Sequence, residues 1–286
     1  MRLSPLAAAL PAALALVLYG SAVYGKPPTP AADAPQTVPL PADAIKRLKS
    51  GDAAQIKGAL DDVRMSAKAG APAVPAIADL LQVGISPALT QAAIDAIADT
   101  ESEAGSEALS SYTRDRNVAI RRAAVQALSR TKGPAAVKAL RAALSDPDAG
   151  VRGLSATGLG SMKARDTVGD LFVALEHKVA EAAASIGQLC SSNECDRLAG
   201  KLGSVPFDVV TGGLDQMLFR PAADVSDDIK VKVVGRVREL GTGEANRFLR
   251  DVQTKWPKTW SQRVKQAIDQ AVLATSASPG AGGGGQ

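Results

Sequence analysis

The sequence predicts an all-α solenoid, which is a stack of antiparallel helix hairpins. Apolar residues between positions 114 and 144 fall on two short helical stripes separated by a Lys-Gly-Pro break, the pattern of one hairpin. A shift of 31 residues aligns these apolar positions with those of the neighbouring stretches, namely Leu89, Ile120 and Val151, then Ile97, Leu128 and Leu159, then Leu109, Leu140 and Leu171. One such hairpin cannot bury both of its apolar faces, so successive copies must stack.

Composition agrees with this fold class. Aromatic residues make up only 3% of the chain, while alanine is abundant, which favours thin, closely packed helices over sheets. Because a repeat array grows by addition of units, we expect one domain across residues 45–274 rather than several separate cores.

The first 25 residues have the features of a secretory signal peptide. Arg2 precedes an apolar run from Leu6 to about Tyr19, and small residues follow before Lys26. Cleavage would place the mature chain in the periplasm or outside the cell. The alternative is an uncleaved membrane anchor, because the apolar run approaches the roughly 20 residues that a membrane span needs.

Two low-complexity segments flank the predicted solenoid. Residues 26–44 carry proline at short intervals, which removes backbone donors and predicts a semi-extended linker. Residues 275–286 are rich in glycine and cannot bury a core, so we expect them to be disordered.

The hairpins can be followed along the chain. Helical patterning begins near Ala42, and the second unit runs from Pro87 to Tyr112. The fourth unit opens with Asp146-Pro147-Asp148, an acidic cap with proline in the first turn, followed by Val151-Arg152 and then by small and apolar residues up to a Leu-Gly pair.

These motifs resemble the HEAT-repeat family, especially the short repeats known from phycobilisome-lyase HEAT-like proteins. The resemblance is good over residues 86–175 and looser on either side. It implies a right-handed α-solenoid of about six or seven hairpins, with the second helices along the concave face. It specifies the fold strongly and the function hardly at all.

The last part of the chain is less regular. A fifth unit starts near Val179, and residues 206–219 form an apolar helix whose paired Gly212 and Gly213 are poor helix residues. A further hairpin over residues 227–252 precedes a predicted capping helix at 257–274.

Two tryptophans lie at the start of that capping helix. Trp256 and Trp260 could form a platform for a sugar or a lipid. At a spacing of four residues beside a proline, they more often cover the end of a core, and we expect that role.

The two cysteines frame Ser-Ser-Asn-Glu. In a continuous helix, Cys190 and Cys195 would lie roughly 8 Å apart between Cα atoms, beyond disulfide reach. Because Ser-Ser-Asn favours a turn and an exported compartment is oxidising, we predict a Cys190–Cys195 disulfide. Redox catalysis is the alternative, but the spacing is not Cys-x-x-Cys.

We predict neither a catalytic, a cofactor nor a metal site. The one histidine, His177, follows Glu176 and cannot supply a ligand set of several imidazoles. It sits among charged neighbours at an expected loop, which makes Ser-His-Asp chemistry a poor fit. A glycine match to a dinucleotide motif near the C-terminus has neither a strand before it nor a helix after it.

Second-helix positions turned away from the buried stripe are the candidate binding residues. If the second helices line the concave face, as the resemblance implies, Lys138, Arg141 and Phe172 would form a basic and aromatic spot for an anionic or extended partner. The alternative for Phe172 is burial within the stack.

The predicted function is that of an exported, non-catalytic scaffold that binds a protein partner, with nucleic acid disfavoured by export. An alternative is binding to anionic polymers or lipid headgroups, because residues 114–144 carry eight Lys or Arg and residues 230–265 are also basic. A lyase-like helper enzyme is a weaker alternative, implied by related proteins that attach bilins to phycobiliproteins. Residues 86–113 are acidic, so adjacent units could instead attract each other.

Overall fold

A computed structural model describes residues 38–276 and confirms the predicted all-α solenoid. The predicted signal peptide at 1–25, residues 26–37 of the predicted linker and residues 277–286 of the predicted tail lie outside the described residues. Residues 275 and 276, which were predicted to be disordered, instead belong to the last helix, where Thr275 is buried. Within 38–276, none of the helices combines the length and the apolar character that a membrane crossing requires.

Residues 38–276 contain fifteen α-helices and two short 3₁₀ segments. The first nine helices are α1 (Ala44–Leu48), α2 (Ala53–Ser66), α3 (Val74–Val83), α4 (Pro87–Thr100), α5 (Gly105–Tyr112), α6 (Val118–Thr131), α7 (Gly133–Ala143), α8 (Ala149–Ser161) and α9 (Val168–Glu176). The remaining six are α10 (Glu181–Leu189), α11 (Ser192–Ala199), α12 (Phe207–Leu218), α13 (Asp227–Glu239), α14 (Gly243–Lys255) and α15 (Gln262–Ser276).

These helices form six hairpins, within the predicted number. Five pairs are in direct contact, namely α4/α5, α6/α7, α8/α9, α10/α11 and α13/α14, and α2 is joined to α3 by a 3₁₀ segment at Ala67–Ala73 that packs on both. The first helices contact each other in series from α2 through α4, α6 and α8 to α10, and α12, which belongs to none of these hairpins, continues the row by packing on α10. Of the nine positions in the 31-residue register, eight are buried and Leu89 is half-buried.

The helix starts follow the capping signals in the sequence. Asp52, Ser86, Asn117 and Asp148 stand at the N-caps of α2, α4, α6 and α8, and each side chain accepts a hydrogen bond from a backbone N–H of the first turn. These bonds satisfy donors that have no partner inside the helix. A short polar residue therefore sets where the first helix begins in each of these four units.

Ion pairs join successive units. Arg121 makes two hydrogen bonds to Asp146, at 2.9 and 3.0 Å, and Arg130 reaches back to Asp99 at 2.6 Å. The repeated Arg152 instead donates to the carbonyl of Asp146 at 2.8 Å. Much of the charge of the basic unit is therefore used within the stack, where it faces carboxylates of the units before and after it.

The contact between α10 and α12 differs from the regular stack. A Cβ added to Gly187 would overlap the carbonyl oxygen of Gly213, and one added to Gly213 would overlap the carbonyl oxygen of Ala183. The two helices therefore pack backbone against backbone. Gly213 permits this close approach, whereas a Cβ on Gly212 would meet nothing within 4 Å.

Aromatic residues gather where α12 ends and α15 begins. Trp256 is buried at 6% exposure, its ring centroid is 5.4 Å from that of Trp260, and Phe219 packs against both. The last helix begins at Gln262 rather than at residue 257, because residues 257–260 form a turn closed by the Trp260 N–H and the Pro257 carbonyl.

The same cluster encloses Lys230, which was expected to belong to an exposed basic stretch. Its side chain is only 2% exposed, its Nζ donates to the Arg220 carbonyl, and it lies 5.1 Å from the Trp260 ring centroid. Burial lowers the pKa of Lys230. Lys230 therefore cannot contribute to an anionic-polymer surface, because the aromatic rings cover it.

Candidate partner-binding surface

The second helices α3, α5 and α7 contact one another in series and present one continuous surface. Pro75 and Pro134 lie in the first turns of α3 and α7, where a missing N–H costs nothing. The apolar stripe of α7 turns inward, with Ala136 and Leu140 both at 0% exposure. The opposite side of each helix therefore faces solvent with small or charged residues.

The first groove on this surface lies between α3 and α5. Its volume is about 450 Å³, and its lining combines small side chains with a few larger ones, namely Ala78, Leu81, Gln82, Ala104, Glu107, Ala108, Ser111 and Tyr112. The small residues leave space between the two helices, so a partner side chain could enter.

A second groove follows one unit later, between α5 and α7. Its volume is about 400 Å³, and it is lined by Glu107, Ser110, Ser111, Thr113, Arg114, Ala135, Lys138, Ala139 and Ala142. Glu107 and Ser111 belong to both grooves. The exposed carboxylate of Glu107 thus stands between two depressions, with the exposed cations Arg114 and Lys138 beside the second.

Tyr112 fixes the wall of the first groove. Its hydroxyl donates to the Leu81 carbonyl at 2.7 Å, which ties the end of α5 to α3. Burial of the ring raises the pKa of Tyr112, so the hydroxyl remains a donor at neutral pH. This hydrogen bond therefore fixes the position of α5 relative to α3 at the first groove.

The three residues proposed from the sequence have different surroundings. Lys138 is exposed in the second groove and makes no ion pair within residues 38–276. Arg141 is held in the stack by Asp166 at 2.9 Å and Asp170 at 2.8 Å. Its charge therefore serves the joint between the third and fourth units.

Phe172 requires a correction. Its side chain is 1% exposed, and the guanidinium carbon of Arg197 lies 4.0 Å from its ring centroid. The expectation that its ring faces a partner is wrong, because the ring is packed in the stack and covered by that arginine.

Sequence reasoning did not single out Glu107 and Ser111 as site residues. A signal existed for the first of them, because Glu107 stands 31 residues before Lys138 in the repeat register. The repeat register does not predict the space between successive second helices. That space depends on how far apart the helices pack, and a single repeat does not encode this distance.

The cysteines and the histidine lie away from the grooves. Cys190 and Cys195 form the predicted disulfide across the turn between α10 and α11. His177 is exposed at the end of α9, where Glu176 pairs with Lys201 at 2.9 Å. Over residues 38–276, His, Cys, Asp and Glu do not cluster in a way that could hold a metal ion.

Comparison with known proteins supports the repeat assignment. Residues 74–160, which span α3 to α8, match the HEAT repeats family. No curated protein sequence matches the chain.

Several solved structures are similar in fold. The complex of CpcE and CpcF of phycocyanin lyase from Nostoc sp. PCC7120 is 18% identical with a TM-score of 0.45, covering 88% of this chain and 99% of that chain. A designed armadillo repeat protein is 16% identical with a TM-score of 0.41, covering 82% of this chain and 98% of its own. Another, in complex with the peptide (KR)4, is 15% identical with the same TM-score and the same coverage.

Proposed function

From the HEAT repeats of residues 74–160, we propose that this chain is an exported, non-catalytic scaffold that binds an extended segment of a protein partner along α3, α5 and α7. The observation that carries the proposal is the pair of grooves one unit apart, which share Glu107 and Ser111. Two grooves one unit apart suit a ligand whose binding groups recur at a regular spacing, and an extended peptide offers its side chains in that way.

Spacing supports an extended occupant. Neighbouring helices in contact lie about 8–10 Å apart, and three residues of a polyproline-type chain advance about 9 Å. Every third side chain of such a segment would therefore meet the next groove. A basic side chain of the segment would pair with Glu107, and an acidic side chain one unit later would pair with Lys138.

Export is supported by the leader-like pattern of residues 1–25 and by the disulfide. Disulfides persist in oxidising compartments and are rare where glutathione and thioredoxin keep thiols reduced. Cell fractionation checks this part of the proposal. Recovery of the chain with the cytosolic fraction, with both thiols open to alkylation, would contradict it.

The binding proposal is tested by site-directed photo-crosslinking. A photoreactive residue replaces Ser111 in the grooves or, as a matched control, Leu273, which is 72% exposed on α15. We expect a discrete protein to crosslink in envelope extract from position 111 and not from position 273. Capture of no protein from position 111 would overturn the proposal.

Charge variants separate a specific partner from general electrostatic retention. Lys138→Glu should abolish the crosslink at both low and high salt. Lys57→Glu makes the same charge change at a residue whose side chain is 66% exposed on α2, and it should leave the crosslink intact. Retention only of acidic polymers or lipids, lost with added salt in parent and variants alike, would favour the electrostatic alternative.

A further inference from the structure

A separate cavity lies at the ends of the first helices, away from the second-helix grooves. It opens between the C-terminal ends of α8, α10 and α12 and has a volume of about 720 Å³. Its charged lining consists of Lys163, Arg165, Asp215, Arg220, Asp224 and Lys255. Among the described residues, four cations line the cavity against two carboxylates, and a third carboxylate, Asp251, pairs with Lys255, so one positive charge remains in excess.

Arg220 is the buried cation of the cavity, at 9% exposure. Its Nη1 donates to the carbonyl of Cys190 at 2.7 Å and of Gly187 at 3.3 Å, so half of the guanidinium caps the end of α10. Its Nη2 is buried without a hydrogen-bond partner in the described part of the chain. Burial lowers the pKa of Arg220, yet a guanidinium keeps its charge at neutral pH.

An unpartnered acceptor lies in the same cavity. Among residues 38–276, the buried Oδ1 atom of Asp215 has no hydrogen-bond donor, and Lys255 Nζ lies 4.0 Å away. Lys255 is instead closest to Asp251, at 2.6 Å. Buried polar groups normally have partners, because an unsatisfied one costs about 1–3 kcal/mol. Arg220 thus has an unused donor and Asp215 an unused acceptor, and both residues line one cavity, where a ligand carrying both kinds of group would satisfy them.

The remaining cations leave the positive excess in place. Arg165 reaches Asp224 at 3.5 Å, which accounts for one carboxylate, and both side chains are more than 40% exposed. Leu189, Phe219 and Pro221 provide an apolar wall. The volume falls in the range of small-molecule sites, and the mostly charged and polar lining suits a charged ligand.

We propose that this cavity binds a small organic anion. A carboxylate or a phosphate of the ligand accepts from Arg220 Nη2, and a hydroxyl group of the ligand donates to Asp215 Oδ1. The cavity volume far exceeds the roughly 30 Å³ of a single water molecule, so a water on each open atom would leave most of the space unused. The two possible head groups are separated by the choice of probe.

Titration calorimetry of the full chain at fixed ionic strength tests the proposal with citrate as carboxylate and glycerol 3-phosphate as phosphate. Glycerol is the neutral control. We expect at least one of the two anions to bind, with glycerol at least about tenfold weaker, since charge-assisted hydrogen bonds are the stronger ones. Equal binding of glycerol, or no heat with either anion up to 10 mM, would overturn the proposal.

Arg220→Lys keeps the charge and one donor group for the α10 cap but loses the planar fork. It should weaken anion binding at least about tenfold, whereas Lys57→Met on the distant α2 should change it less than twofold. Unchanged affinity in Arg220→Lys would show that the guanidinium is not the anion site. If that variant does not fold, Lys255→Met provides the test, and its affinity should fall severalfold because the cavity then loses one cation.

Discussion

The regular units from α4 to α9 and the junction between α10 and α12 are built by different means. In the regular units, aliphatic side chains at a 31-residue spacing fill the core, and arginines join each unit to the carboxylates of the next. At the junction, Gly187 and Gly213 bring two helix backbones together with no side chain between them. Side-chain packing tolerates moderate change, whereas a backbone contact leaves no space for a single added methyl group.

The largest expected effect comes from a substitution at the junction between α10 and α12. Gly213→Ala places a methyl group against the Ala183 carbonyl and the Leu198 side chain, so we expect a loss of about 3 kcal/mol in the free energy of unfolding. Gly212→Ala, one residue earlier on the exposed side of the same helix, should add about 0.5–1 kcal/mol. Urea unfolding followed by circular dichroism measures both.

Equal effects of the two alanine variants would show that α10 and α12 do not pack backbone against backbone. Gly187→Ala, on the other side of the contact, should behave like Gly213→Ala.

The disulfide sharpens the comparison, because it lies beside the same junction. Replacing both Cys190 and Cys195 with alanine should lower the free energy of unfolding by about 2 kcal/mol, the effect expected for so short a closed loop. Reduction of the disulfide in the parent chain should lower the stability by a similar amount, as measured by thermal unfolding. A variant as stable as the oxidised parent would mean that the helix contacts alone order this turn.

The smallest expected effect concerns the regular units. Hydrogen bonds from Arg122 and from the Val151 N–H lower the pKa of Asp148 from 3.8 to about 2. A carboxylate whose pKa is lower in the folded state than in the unfolded state stabilises the fold at pH values above its unfolded-state pKa. This contribution is lost as the pH falls from about 4 to 2. Asp148→Asn keeps a capping oxygen but binds no proton.

The acid dependence of unfolding should therefore be shallower in Asp148→Asn than in the parent between pH 4 and pH 2. Arg122→Met should also flatten it, since it removes the main cause of the lowered pKa. Identical slopes in the parent and in Asp148→Asn would exclude this ion pair as a source of acid sensitivity.

The sequence predicted the regular units well because each buried position recurs. Leu109, Leu140 and Leu171 lie 31 residues apart and are all at 0% exposure. The Cys190–Cys195 pairing was also predictable, because the distance between cysteines five residues apart depends only on whether the chain turns.

The irregular region could not be read in the same way. Gly212 and Gly213 look alike in the sequence, and only the neighbouring helix shows which of them is in contact. Lys230 occupies a basic stretch that suggests a solvated face, yet Trp256 and Trp260 enclose it. Phe172 shares the repeat register of Arg141, which suggests a surface position. Its ring is nevertheless covered by Arg197, which belongs to the next unit.

The side-chain bonds between units have a consequence for how the chain folds. They join residues that are close in sequence: Ser106 and Lys132 are 26 positions apart, Arg121 and Asp146 are 25, and Arg130 and Asp99 are 31. The entropy of closing such loops is small, and folds dominated by contacts of short range form quickly. Each hairpin can therefore dock as soon as its neighbour has formed, without contacts from the far end of the chain.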